Sequence, residues 1–111
     1  MTSCVFCTDP TQAGEVLAED AHSWVIRHPQ GQTMIVAKRH VQNVSDLDEE
    51  EWLHLARVWH RTERELKAER VMVMKLGLQT PHLHIHLFPF DAAATREEVF
   101  AAFAGKQHRD A

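Results

Sequence analysis

Three histidines alternate with aliphatic residues in the segment His82-Leu-His84-Ile-His86. Successive side chains of a β-strand point to opposite faces, and same-face neighbours lie about 7 Å apart. The alternation predicts a strand over 82–88 with three imidazoles on one face and aliphatic side chains buried on the other. Each imidazole carries polar atoms that need partners, so packing alone is a poor explanation for the three.

The rest of the chain predicts an antiparallel α+β fold with helices on one face of the sheet. Four further strands are predicted, at 15–19, 23–28, 33–37 and 71–76. Pro89 is predicted to end the histidine strand.

Two helices are predicted from capping signals. Ser45 with Asp48 resembles a capping box ahead of a long helix, and Thr95 with Glu98 resembles one ahead of a short helix to about Phe103 that stops near Gly105. The long helix has apolar residues at helical spacing, which predict the face that docks on the sheet: Trp52, Leu55, Ala56, Trp59 and Leu66. His54 and His60 are predicted to be solvated.

Length and charge limit the classes of function. A chain of 111 residues fits a single domain, 1–111. The net charge of −4 argues against coating a nucleic acid, which needs clustered Lys and Arg, but allows a small phosphate ligand. The sequence shows neither a secretory signal nor a run of about 20 apolar residues, so we expect a cytoplasmic protein with no membrane partner.

Two functional interpretations of the histidine strand remain open at this point. All three imidazoles could bind a catalytic metal. Alternatively, His84 could be a nucleophile, because imidazole is largely neutral near pH 7, attacks phosphorus without a strong base and leaves again readily. Gln79 and Thr80, just before the strand, could then donate hydrogen bonds to phosphoryl oxygens.

The sequence resembles the histidine triad (HIT) superfamily of nucleotide hydrolases and transferases. The resemblance rests on Leu-Gly-Leu-Gln-Thr-Pro-His82-Leu-His84-Ile-His86-Leu-Phe-Pro89, on Met34-Ile-Val-Ala-Lys-Arg-His40-Val and on Cys4-Val-Phe-Cys7. It implies a five-stranded antiparallel sheet with one long helix and a short C-terminal helix, and a homodimer.

The same resemblance implies a chemistry. His84 would attack the α-phosphorus of a dinucleoside polyphosphate or nucleoside phosphoramidate to give a nucleotidyl-histidine, which water hydrolyses. His86 would be its catalytic partner, and a histidine at this position favours a hydrolase, because the transferase branch has glutamine there.

The cysteine pair Cys4-Val-Phe-Cys7 is compatible with either a redox motif or a metal site. Some members of the resembled family complete a zinc site with two histidines that correspond here to His40 and His82. The resemblance therefore implies a structural zinc ion on these four residues. An unmetallated thiol pair and a catalytic metal on the three triad histidines remain alternatives.

Several positions depart from the family pattern. Relatives commonly have a ribose-binding Asp where this chain has His28, and they often have His where it has Gln32. Arg27 could instead contact a phosphate. The apolar residues predicted to line a base pocket are Phe6, Trp24 and Ile26. The altered ribose region keeps open a second class of function, a nucleotide-binding or scaffold module with little turnover.

Overall fold

The computed structural model describes residues 4–75, 77 and 80–109, with side chains described up to residue 104. Five strands in this part of the chain form one sheet in the order β1-β2-β3-β5-β4. All neighbouring strands are antiparallel. The strands are β1 (Glu15–Glu19), β2 (Ser23–Arg27), β3 (Thr33–Ala37), β4 (Arg70–Met74) and β5 (His84–Phe90). The α+β fold with a five-stranded antiparallel sheet is therefore confirmed.

Three α-helices accompany the sheet in the described residues: α1 (Val5–Thr8), α2 (Glu49–Leu66) and α3 (Arg96–Arg109). Short 3-10 turns lie at Pro10–Gln12 and Val44–Asp46. None of the described helices is both long and apolar enough to cross a membrane.

The strand alternation predicted for β5 separates two apolar clusters. On one face, Ile85 and Leu87 pack with Leu55 and Val58 of α2. On the other face, Met34 and Val36 of β3 stand opposite His86 and His84 in the strand register. The buried members of the apolar cluster on this second face are Phe6, Ile26, Met34 and Val36.

Helices contact both faces of the sheet, which differs from the expectation of helices on one face. The long helix α2 covers the Ile85 face. Phe6 of α1 lies against His84 on the other face, with ring centroids 5.0 Å apart. Phe103 of α3 lies against Phe88, also at 5.0 Å. The histidine face is therefore contacted by α1 and α3, the first and last helices.

The buried face of α2 is rotated away from the predicted one. Leu55, Val58 and Thr62 are buried, whereas Trp52 is 43% exposed. The hydroxyl of Thr62 donates to the carbonyl of Val58 at 2.6 Å, which removes the polar penalty of burying it. Helical spacing alone was therefore not enough to identify which stripe of this helix faces the core.

Ala56 is also exposed, while Trp59 and Leu66 are half-buried, so the predicted docking face is only partly correct. The indole N–H of Trp59 donates to Glu63 at 2.6 Å. This bond directs the polar edge of the ring along the helix surface rather than into the core.

The long helix begins three residues later than its predicted cap. Asp48 is the N-cap, and its carboxylate and that of Glu51 form the capping box, whereas Ser45 lies in the preceding 3-10 turn. The box predicted for α3 is confirmed, with Thr95 and Glu98 bonded in both directions at 3.0 and 3.1 Å. The backbone of α3 continues past Gly105 to Arg109.

The histidine strand is shifted by two residues from its predicted bounds, to His84–Phe90. His82 precedes it because the backbone there bonds elsewhere: Leu83 N–H donates to Val41 and Leu83 accepts from Ala37. Pro89 does not end the strand. The pairing of β5 with β3 extends only to Leu87, so at Pro89 the strand has β4 as its single neighbour, and a proline is tolerated there.

Candidate active site and metal centre

His82 is held at both ring nitrogens. Its side chain is 1% exposed, and Nε2 lies 2.5 Å from the carbonyl oxygen of Ala37. A carbonyl can only accept, so Nε2 carries the proton and Nδ1 presents its lone pair. Metal-ligating histidines typically have this second hydrogen bond, because it fixes the tautomer and the ring orientation.

The Nδ1 lone pair of His82 faces the cysteine pair and His40. Nδ1 lies 3.3 Å from Cys4 Sγ, 3.5 Å from Cys7 Sγ and 3.0 Å from His40 Nδ1. Cys7 Sγ lies 3.2 Å from His40 Nδ1, and all four donor atoms are within 4.8 Å of one another. The four residues are therefore positioned to hold a metal ion.

The donor set fits zinc in both type and spacing. Zn–S bonds of about 2.3 Å and Zn–N bonds of about 2.0 Å at tetrahedral angles put neighbouring ligand atoms roughly 3.3–3.8 Å apart. The separations of 3.0–3.5 Å around His82 Nδ1 come close to this without any rearrangement of the backbone. Both cysteines are unpaired as disulfides, so both thiols are available as ligands.

The electrostatics of the cluster also suit a cation. Burial lowers the pKa of His82, and the nearby His40 lowers it further, so the ring is neutral and can donate its lone pair. Loss of water and then the adjacent Cys4 thiol raise the pKa of Cys7. A divalent cation reverses that trend, because it stabilises the thiolate directly.

Local structure delivers the four ligands from three places. Cys4 is the residue before α1, and its carbonyl accepts from Cys7 N–H at 3.1 Å, so one helical turn brings both thiols to the same side. His40 follows β3 in a turn whose position is fixed by Arg39. The Arg39 guanidinium donates twice to Glu51 of α2, at 2.8 Å each, and once to the carbonyl of Asp46.

His84, the predicted nucleophile, has a defined orientation. Its Nδ1 lies 2.6 Å from the carbonyl oxygen of His82, so Nδ1 carries the proton and the lone pair is on Nε2. The ring of His86 meets it edge-on with centroids 4.8 Å apart. The backbone that presents His82 to the cysteine pair therefore also orients His84.

Both catalytic candidates are buried: His84 is 3% exposed and His86 is 1% exposed. Phe6 covers part of this surface, since its ring also lies 5.4 Å from the ring of His82. Phe6 is therefore one of the residues that limit access to His84 in this conformation.

The predicted base-pocket residues are brought together on the histidine face. Phe6 and Ile26 belong to one buried cluster, and Trp24 packs against it half-buried. Lys38 Nζ lies 5.4 Å above the ring of Trp24. Ile26 has no exposed surface, so core packing is its role in this conformation.

Of the two predicted phosphate donors, the structure describes only Thr80. Gln79 lies outside the described residues. Thr80 is half-buried, and its carbonyl accepts from His82 N–H at 2.8 Å, which links it to the start of the histidine segment. A contact of either residue with phosphate stays a prediction.

Arg27 is not on the histidine face. Alternation along β2 places it with Val25 on the face covered by α2, where it is exposed and 3.7 Å from Glu15. His28 and Gln32 are both buried, and His28 N–H donates to the carbonyl of Gln32 at 2.8 Å. Arg27 therefore lies away from the histidine site, and a contact between Arg27 and a phosphate stays a prediction.

The three-histidine metal site is disfavoured by the geometry. Among the described residues, the donor atoms of His82, His84 and His86 do not form one of the groups close enough to share an ion. His82 Nδ1 instead faces the cysteines, and His84 Nδ1 donates to a carbonyl. The triad divides between two sites.

Sequence reasoning missed the residues that hold this division in place. The carbonyl of Ala37 fixes His82, and backbone atoms leave no mark in the pattern of side chains. The Arg39–Glu51 pair joins residues 12 apart, across a loop whose path the sequence did not predict. The signals in the sequence were Arg39 beside the candidate ligand His40 and the acidic residues at the start of α2.

The chain belongs to the HIT domain family, since the family model "HIT domain" matches residues 11–93 of its 111. Similar solved structures agree on the fold. A HIT family hydrolase from Clostridium thermocellum has a TM-score of 0.69 at 18% identity, covering 86% of this chain and 97% of that one.

Two further structures give the same result. A HIT family hydrolase from Legionella pneumophila has a TM-score of 0.63 at 18% identity, covering 85% of this chain and 98% of that one. A Hit-like protein from Bartonella henselae, described as involved in cell-cycle regulation, has a TM-score of 0.60 at 22% identity, covering 84% and 83%. No curated protein matches the sequence.

The Glu51 carboxylate links the start of α2 to the turn that carries His40, and this generates a pH prediction. Hydrogen bonds from Arg39 lower the pKa of Glu51 to about 2, against an ordinary value of 4.5. Because the folded-state pKa is depressed, its stabilisation is complete above pH 4.5 and is lost as pH falls from 4.5 towards 2. Glu51→Gln should lower the free energy of unfolding by about 1 kcal/mol at pH 7.

Urea unfolding of wild type and Glu51→Gln between pH 7 and pH 2 measures this contribution. The gap between the two proteins should shrink as the pH falls. Glu49→Gln, in the same helical turn but without the Arg39 bonds, is the matched control and should change stability much less. Equal losses in the two variants would show that the Arg39 pair contributes nothing.

Proposed function

We propose that this protein is a nucleotide hydrolase in which Nε2 of His84 attacks the α-phosphorus of a dinucleoside polyphosphate or a nucleoside phosphoramidate. The observation that carries the proposal is the 2.6 Å contact between His84 Nδ1 and the His82 carbonyl. It selects the tautomer whose Nε2 lone pair can form a bond to phosphorus. The names of the Clostridium thermocellum and Legionella pneumophila structures, both hydrolases, add support.

The first step of the proposed reaction forms a bond from Nε2 to phosphorus and breaks the bond to the leaving group. The leaving group departs with the bonding electron pair and takes up a proton. The His84 ring then carries positive charge, which the Nδ1–H bond to the His82 carbonyl stabilises. In the second step water attacks phosphorus, loses a proton and displaces the imidazole, whose lone pair returns to Nε2.

The neighbouring residues have separate roles in this proposal. His86, edge-on to His84 at 4.8 Å, holds a phosphoryl oxygen or supplies the leaving-group proton. Gln79 and Thr80 donate hydrogen bonds to the other oxygens as negative charge develops. Phe6 and Trp24 contribute the apolar wall for the base, with Ile26 packed in the core behind them. Having His86 instead of glutamine favours hydrolysis over transfer.

We further propose that Cys4, Cys7, His40 and His82 bind zinc as a structural ion. Two thiolates and two imidazoles complete a tetrahedral shell and leave no position for substrate. The bound ion would supply a cross-link between the N-terminal segment and the histidine strand. Reduced thiols are expected in a reducing compartment, so we propose the cytoplasm as the location.

A second function, nucleotide binding with little turnover, is favoured by one observation. His84 is only 3% exposed, so its access to phosphorus depends on local movement. If the residues around His84 do not move far enough for Nε2 to reach phosphorus, the same fold binds a nucleotide without forming the covalent intermediate.

A homodimer is the third part of the proposal. Strand β4 is at one edge of the sheet and has an unpaired side that a second copy could contact. On α2, Trp52 is 43% exposed beside a groove of about 490 Å³ that Ala56, Trp59 and His60 also line. A large exposed aromatic beside an open apolar groove is typical of a surface that binds another protein.

The covalent step predicts a labelled protein. Incubation with a nucleoside phosphoramidate carrying radioactive α-phosphate, followed by rapid quenching, should give acid-labile label on wild type and none on His84→Ala. Steady-state hydrolysis should fall at least about a thousandfold in this variant.

The matched control is Arg57→Ala, an exposed position on α2 that does not line the groove of the proposed dimer. It should label and turn over as wild type does. Nucleotide binding by wild type without label or hydrolysis across phosphoramidates and dinucleoside polyphosphates would support the binding module and overturn the hydrolase.

The proposed dimer predicts a mass in solution. Sedimentation equilibrium should give twice the chain mass for wild type, and Trp52→Glu should shift the protein towards the monomer, because a carboxylate would be buried against an apolar surface. Leu53→Glu, at a neighbouring position that is 49% exposed and does not line the groove, is the control. A monomeric wild type would contradict the dimer.

A further inference from the structure

Three metal-ligating side chains meet on the opposite face of the sheet from His84. His22 lies in the turn between β1 and β2, and Glu50 and His54 lie in the first part of α2. One donor atom from each falls within 4.8 Å of the other two. His22 Nε2 is 3.9 Å from Glu50 Oε1, and the rings of His22 and His54 have centroids 4.2 Å apart.

Helical spacing explains why two of these ligands share a side. Glu50 and His54 are four residues apart on α2, and side chains at this spacing are neighbours on a helix surface. His22 approaches from the covered sheet face, where it lines a small cavity with Ser23 and Leu55. The group therefore joins two elements that are far apart in the sequence.

The backbone around His22 is fixed before any ligand binds. Asp20 Oδ1 accepts from the N–H groups of His22 and Ser23, at 2.8 Å each. The carbonyl of His22 accepts from Lys38 N–H at 2.9 Å. With the turn and a helix both rigid, only side-chain rotations are needed to bring the donors onto one ion, which lowers the cost of binding.

The surroundings of the group are negative. Burial alone would raise the pKa of Asp20, but hydrogen bonds from His22 and Ser23, with the charge of His54, lower it below its ordinary value. The pKa of Glu51 is about 2, so both carboxylates are ionised at neutral pH. The Glu51 carboxylate is already paired with Arg39, so Asp20 is the acidic neighbour that most favours a cation at the group.

An ordinary ion pair does not account for the arrangement. The His22–Glu50 separation of 3.9 Å is longer than a hydrogen bond, and Glu50 is 74% exposed, so the pair alone contributes little. It also leaves the second imidazole unexplained. Two imidazoles and a carboxylate around one point are ligands that zinc, nickel and copper accept, and a three-residue set leaves a position for water.

We propose that His22, Glu50 and His54 form a second metal site, for a divalent ion of the zinc type, that is separate from the cysteine site. The ion fastens the β1–β2 turn to α2 and keeps at least one position open to water. Because it binds only the folded arrangement, its binding stabilises the fold by mass action. This site is independent of the hydrolase proposal and of the zinc on the cysteine pair.

Equilibrium dialysis against Zn²⁺, followed by metal analysis, tests the proposal. Wild type should retain one more zinc ion per chain than His54→Ala and than His22→Ala. His60→Ala removes an exposed histidine two turns further along α2 and should retain as much as wild type. Circular dichroism in the absence of added metal checks that every variant is folded.

A thermal scan gives an independent reading of the same site. Added Zn²⁺ should raise the melting temperature of wild type and His60→Ala more than that of His54→Ala, with Glu50→Gln in between. Equal zinc content in wild type and His54→Ala, or an equal loss in His60→Ala, would overturn the second site. Neither result depends on whether the protein hydrolyses nucleotides.

Discussion

The two hydrogen-bonding directions of the His82 ring organise the site around them. On one side Nε2–H is fixed on the carbonyl of Ala37, and on the other Nδ1 faces Cys4, Cys7 and His40. A ring that is 1% exposed can tolerate two polar nitrogens only if both are used. Fixing this ring also fixes the His82 carbonyl, which in turn accepts from His84 Nδ1. The metal ligand and the nucleophile that we propose are therefore linked through the backbone of His82.

The sheet separates the apolar core under α2, the face that carries His84 and His86, and the position of His82. Ile85 and Leu87 belong to the core under α2, while on the other face His84 lies against Phe6 of α1 and His86 lies beside Phe88. His82 escapes this alternation because the strand begins only at His84, and its backbone bonds to the segment around Val41 instead. That break allows the first histidine of the triad to serve a different site from the other two.

Much of this was predictable from the sequence, and the failures share a cause. Strand alternation placed His84 and His86 correctly on one face, because alternation is a local pattern. The Cys4-Val-Phe-Cys7 spacing left a redox motif and a metal site open, and only the fold shows that both thiols lie beside His40 and His82. Trp52 was misplaced because helical spacing allows several adjacent stripes, and only the packing against the sheet selects one. Contacts such as Ala37 with His82, or His22 with His54, depend on how distant segments cross. The sequence carries no local record of them, and His54 was accordingly predicted to be solvated.

The division of the triad is the central claim, and cobalt substitution tests it most directly. Co²⁺ bound by thiolates has a sulfur-to-metal charge-transfer absorption, so the band reports the cysteine site and not the one at His22. The account predicts the band in wild type and in His84→Ala, and its loss in Cys4→Ser and His82→Ala. A band that survives His82→Ala but disappears in His84→Ala would show that the metal and the nucleophile had been assigned to the wrong histidines.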